Sequence, residues 1–165
     1  MATINHRMKA QVPQAVISPF SFKRRQFDAG SDKKVAVYDG ILVAAGRTRD
    51  AFGGEGPWEF TEAAIKQAID AGMFQNLACF IDHASWFTGP CMKDLLGTWY
   101  NVAWDDELKA AKGELHVYIT ADTQGMADRL DAISDEKDRG FSPPDVGVSI
   151  VCYLDYEEVG GVFYR

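Results

Sequence analysis

The chain has 165 residues, 47% of them hydrophobic and 25% charged, the balance of one ordinary globular domain. A chain of this size buries roughly 70% of the surface its unfolded form exposes, enough for a full core. The formal net charge of −7 argues against a nucleic-acid partner, which requires a basic face. No apolar run reaches the length of a membrane span, and residues 1–30 hold no signal-peptide core. Cys79, Cys91 and Cys152 make an odd number of cysteines without CxxC spacing, the pattern of reduced thiols in a cytosolic compartment. A soluble protein that stays in the cytoplasm is therefore expected.

Residues 1–34 mix Pro13 and Pro19 with the basic cluster Lys23, Arg24 and Arg25. They read as a flexible N-terminal arm with one strand over 15–22, ahead of a single domain over 35–165. Between Lys34 and Gly46, apolar Val35, Val37, Ile41 and Val43 flank Asp39-Gly40. This is either a hairpin turning at Asp39-Gly40 or one strand with a bulge at Gly40. Gly53-Gly54-Glu55-Gly56-Pro57 reads as a flexible loop, and it lacks the Lys-Ser/Thr ending of a phosphate-binding loop, so no nucleotide site is assigned. Thr61 to Ala71 is the clearest helix, with Thr61 as N-cap, Ile65, Ala68 and Ile69 as its buried stripe, and Gly72 as its stop.

A strand follows over Leu77–Ile81, whose alternation places Leu77, Cys79, Ile81 and His83 on one side. Leu95–Trp104 and Glu114–Thr120 are strands joined through the polar turn Asp105-Asp106-Glu107. The second carries Leu115, Val117 and Ile119 on one face and Glu114, His116, Tyr118 and Thr120 on the other. A second helix is expected from Asp122 to Ile133, with Met126, Leu130 and Ile133 at helical spacing and the charged run Ser134–Arg139 as a solvated end. Phe141-Ser142-Pro143-Pro144 breaks the chain. A strand through Gly147-Val148-Ser149-Ile150-Val151-Cys152 then runs to Tyr156, and Gly160-Gly161 turns it back into Val162–Tyr164. The order β-β-α-β-β-β-α-β-β, with adjacent strands antiparallel, predicts an α+β domain around a mostly antiparallel, barrel-like sheet with flanking helices.

Two polar residues in apolar strands carry the chemistry. Ser149 stands between Val148 and Ile150, after a glycine that lets a substrate approach the backbone closely. A serine hydroxyl needs a base to become a nucleophile. His83, at the end of an apolar run, is the candidate base if it comes within hydrogen-bond reach of Ser149. Taken alone, each also fits a packed structural residue. Asp82 points to the opposite face of its strand from His83 and is not expected to orient it. Cys79, His83, Cys91 and His116 offer a rival four-ligand zinc set, but none has the close spacing of known zinc sites, and no metal or cofactor is assigned. Cys152 alternates away from Ser149 and reads as a core thiol.

The ordered set Ile81-Asp82-His83, Leu96-Gly97, Gly113-Glu114-Leu115, a helix and then Gly147-Val148-Ser149-Ile150 resembles the phage prohead (head-maturation) proteases, which share a fold with the herpesvirus assemblins. The resemblance spans residues 35–156. It implies a serine endopeptidase with Ser149 as nucleophile and His83 as base. Such an enzyme cleaves scaffold and major capsid proteins, and often itself, inside an assembling procapsid in the host cytoplasm. It also implies a homodimer. The family uses a third residue, a histidine or an acid, to orient the base, and in the assemblin pattern that residue follows the serine. Asp155 lies about 20 Å beyond Ser149 on a straight strand, too far to join it. Antiparallel counting past Gly160 puts the partner of Ser149 beyond Arg165. The third member is then lost with a truncated C-terminus or comes from elsewhere, and His116 is the internal candidate. The alternative is a catalytically inactive scaffold or assembly protein on the same fold.

Overall fold

The computed structural model describes residues 6–8, 23–24, 34–49, 55–81, 92–143, 154–159 and 162–164. In chain order these form β1 (His6–Met8), β2 (Lys23–Arg24), β3 (Val35–Ala44), β4 (Gly46–Arg49), β5 (Glu55–Phe60), α1 (Glu62–Asp70), β6 (Leu77–Phe80), a 3-10 turn (Met92–Asp94), β7 (Leu95–Asp105), β8 (Ala110–Tyr118), α2 (Gln124–Asp138), β9 (Leu154–Val159) and β10 (Val162–Tyr164). The architecture is α+β. One sheet has the order β2-β3-β8-β7-β6 and is antiparallel throughout. The other has the order β1-β9-β10-β5-β4. Neither closes into a barrel among the described residues.

The central strand β8 shows why the sheet has one dry face. Ala111, Gly113, Leu115 and Val117 are buried, and the intervening Lys112, Glu114, His116 and Tyr118 are exposed or half-buried, the period-two alternation of a strand covered on one side. Tyr38 on β3 and Trp99 on β7 sit opposite Leu115 in register. Together with Ile65 of α1, Ala127 and Leu130 of α2, and Phe60 of β5 they form one buried cluster. Tyr38 is fully buried, and its hydroxyl donates to the Asp131 carboxylate at 2.8 Å, with the Ala127 carbonyl 3.3 Å away. That polar tip fixes α2 to the sheet while the ring fills the core.

Bulges in both neighbours of β8 redirect the alternation. β3 is one ten-residue strand, so there is no hairpin at Asp39-Gly40, and its irregularity falls between Ile41 and Val43 rather than at Gly40. The extra residue turns Val43 toward the face that Tyr38 occupies earlier. Val37, in the regular register before the bulge, stands opposite His116 on the other face and is buried there. In β7 the register slips between Tyr100 and Ala103, where Asn101 has φ 52°. This brings Val102 over Gly113, and a Cβ at position 113 would meet the Val102 side chain at 2.8 Å and the Tyr100 carbonyl oxygen at 2.9 Å.

The first helix forms as its sequence predicts. The Thr61 hydroxyl accepts from the Ala64 N–H at 3.2 Å. At the other end the Gly72 N–H reaches the Ile69 carbonyl and the Met73 N–H the Ala68 carbonyl, with Gly72 at φ 70°, the paired bonds of a Schellman stop. The second helix runs further than its apolar residues suggest, to Asp138, and starts at Gln124. It closes with the same pair of bonds, Gly140 to Lys137 and Phe141 to Glu136, with Gly140 at φ 84°. The charged run Ser134–Arg139 is therefore mostly helix.

Three further expectations change. Glu55-Gly56-Pro57 belongs to strand β5 instead of a loop. Pro57, which has no N–H to give, lies where the register with β4 shifts between Arg47↔Glu59 and Arg49↔Glu55, a position strands tolerate. The arm over 1–34 contributes two short strands, β1 pairing with β9 and β2 with β3, and the strand expected over 15–22 lies outside the described residues. Val162–Tyr164 does turn back antiparallel on β9, but its other side pairs with β5 in parallel, Phe163↔Trp58 and Tyr164↔Glu59. No described helix is long and apolar enough to cross a membrane.

Candidate active site

Of the three proposed catalytic residues, His116 is described. Ser149 and His83 lie outside the described residues, as do Asp82, Cys91 and Cys152. The strands that lead to and from them are partly visible. β6 ends the edge of the first sheet, where the Ile81 N–H donates to the Asp94 carbonyl at 2.8 Å. This is the end of the sheet at which β8 also finishes. The sequence reaches His83 two residues later. The strand downstream of Ser149 appears as β9, from Leu154 to Val159, and it belongs to the second sheet, between β1 and β10.

His116 occupies the face of β8 away from the core. Its lateral neighbours are Thr98 on β7 and Val37 on β3. Along its own strand lie Glu114 and Tyr118. The Nε2 atom of His116 is 3.4 Å from Oε2 of Glu114. The carboxylate accepts at that contact when Nε2 carries the ring proton. The Tyr100 ring meets the imidazole at an edge-on angle of 62° with 4.7 Å between centroids, within the range aromatic pairs favour. The Tyr118 and Thr98 hydroxyls are 2.7 Å apart. Asp39 stands opposite Glu114 across β3. The His116 side chain is 31% exposed and that of Glu114 16%. The cluster can hold an imidazole in one orientation and still leave it reachable from outside.

Alternation along β8 already placed Glu114, His116 and Tyr118 on one face. Thr98 and Tyr100 are not legible in the sequence as its neighbours, because they join His116 only through the pairing register of β7 with β8, which a single strand's pattern does not contain.

The rival zinc set does not assemble among the described residues. Ala78 shares the Thr98–His116 row, so Cys79 points to the opposite face, where it packs against the core. Burial pushes the Cys79 thiol up to about 11, opposed by a bond from the Trp99 side chain. No group of three or more His, Cys, Asp or Glu residues suited to a metal occurs among the described residues. The register with β7 also shifts between Cys79 and Phe80, and the side expected for His83 lies outside the described residues.

No family model, curated protein or solved structure matches this chain.

Proposed function

We propose that the chain is a serine endopeptidase of the prohead-protease type, built on an assemblin-like, barrel-like sheet. Ser149 is the nucleophile, His83 the base and His116 the residue that orients the base. Its substrates are scaffold and major capsid protein segments in an assembling procapsid, and itself, and it works as a homodimer in the host cytoplasm. The observation that carries this reading is the setting of His116. It is a partly exposed imidazole, held by Glu114 and Tyr100 on the outer face of the sheet whose edge strand ends three residues before His83. The ordered motifs around His83 and Ser149 supply the rest.

A serine-directed phosphonate tests it. The reading expects one equivalent bound, mapped by peptide mass spectrometry to Ser149 and abolished by prior denaturation. His83→Ala slows labelling by about two orders of magnitude or more, the usual worth of a general base. Absence of labelling of the folded chain would refute it.

One observation favours a second reading, a non-enzymatic scaffold or assembly protein. The described strand beyond Ser149 pairs in the second sheet, whereas His116 sits in the first. That reading expects a folded chain that the phosphonate leaves unmodified.

A further inference from the structure

Two contacts hold the His116 ring. Nε2 faces the Glu114 carboxylate at 3.4 Å, and the Tyr100 ring fixes the plane edge-on at 4.7 Å. Among the described residues no hydrogen bond reaches Nδ1, although the side chain is 31% exposed. A neutral imidazole carries one proton, and a hydrogen bond at one nitrogen settles which nitrogen keeps it. With a carboxylate at Nε2, the proton stays there and Nδ1 presents a lone pair.

We infer that Glu114 is a positioning residue: it locks His116 in the Nε2–H tautomer, so that Nδ1 is the open acceptor of the site. This deepens the protease reading and rests on it. The group that Nδ1 receives is an N–H donor, in that reading the base that His116 orients. No proton leaves His116 in this arrangement; it accepts a hydrogen bond at Nδ1 and donates one at Nε2. In this inference Glu114 acts on the reaction through His116. Tyr100 restrains the ring from rotating out of the plane that serves both bonds.

A bland alternative is a sheet-surface pair two residues apart on one strand, with no consequence for the ring. The two are separated by the nitrogen resonances of His116 in the full-length, nitrogen-15-labelled chain, recorded where the imidazole is neutral and assigned by their loss in His116→Gln. The inference expects Nδ1 at the unprotonated extreme in the parent. In Glu114→Gln the amide can donate to Nε2, and the Nδ1 signal then moves toward the protonated position. An Nδ1 that is protonated or tautomer-averaged in the parent overturns the inference, and so does one that stays unmoved in Glu114→Gln. The parent spectrum decides even if the variant does not fold.

The second arm is peptide cleavage. Glu114→Gln should lower kcat about tenfold or more with KM little changed, as expected for a residue that orients the machinery without binding substrate. The double variant Glu114→Gln/His116→Gln should be no slower than His116→Gln alone, since residues acting as a unit are not additive. Additive losses overturn the inference by showing that Glu114 works apart from His116. If Ser149→Ala cleaves as fast as the parent, the protease reading itself falls, and the tautomer measurement alone decides whether Glu114 sets the ring.

Discussion

Gly97 lies flush against the backbone of His116. A Cβ built at position 97 would fall 2.8 Å from the His116 carbonyl carbon and 3.0 Å from the Val117 Cα, and closer still to the His116 carbonyl oxygen. These are backbone atoms of the central strand, which cannot swing aside as the end of a side chain can. Gly97→Ala must push β7 and β8 apart. We expect it to cost about 3 kcal/mol, at the upper end of over-packing losses, seen as a lower denaturation midpoint with an unchanged slope. The same displacement shifts the carbonyl and ring of His116, so any activity that depends on that residue falls further than stability alone explains.

The bond from Tyr38 to Asp131 predicts a smaller effect on a different joint. Tyr38→Phe keeps the ring that fills the core and removes only the hydroxyl at 2.8 Å from the carboxylate. A hydrogen bond to a charged group is worth about 1.5–3 kcal/mol. Because Asp131 is half-buried and has other partners, the lower end of that range is expected. Hydrogen exchange should show the loss first along α2, around Ala127 to Asp131, before the β7–β8 pair.

Cys79 gives a test by pH. Its thiol is raised from 9.0 to about 11 by burial. The unfolded chain therefore releases this proton at lower pH than the folded one. The contribution is fully present below pH 9 and is lost as pH climbs toward about 11, at about 1.4 kcal/mol per pH unit. Unfolding measured across that window should be steeper in the parent than in Cys79→Ala. In a Cys91→Ser, Cys152→Ser background, a disulfide reagent at pH 8 should leave Cys79 unmodified until the protein unfolds. Fast reaction in the native state would contradict the burial.

The parts of the fold that local chemistry controls are readable from the residues, and the parts that depend on pairing are not. Thr61 and Gly72 announce both ends of α1 because each acts within one turn of its own helix. Gly140 ends α2 by the same bonds, but the charged run before it carries no apolar stripe, so the last turn is invisible to periodicity. Val35, Val37, Ile41 and Val43 look like one face of a strand. Regular pairing puts Val37 beside His116, but the bulge after Ile41 turns Val43 to the core, and a bulge is visible only against the partner strand. Pro57 reads as a breaker until the slipped register beside β4 accommodates it. The parallel contact of β10 with β5 joins segments about a hundred residues apart, far outside any local signal. In the candidate site, the face shared by Glu114 and His116 follows from alternation, and the edge-on Tyr100 follows only from register.

The most direct test of the central claim is processing of the cognate scaffold and capsid proteins by the parent chain and by Ser149→Ala, with folding of both verified. The account predicts that the parent cuts them and that the variant, equally folded, leaves them intact. Scaffold cut by the variant at the parental rate would contradict it.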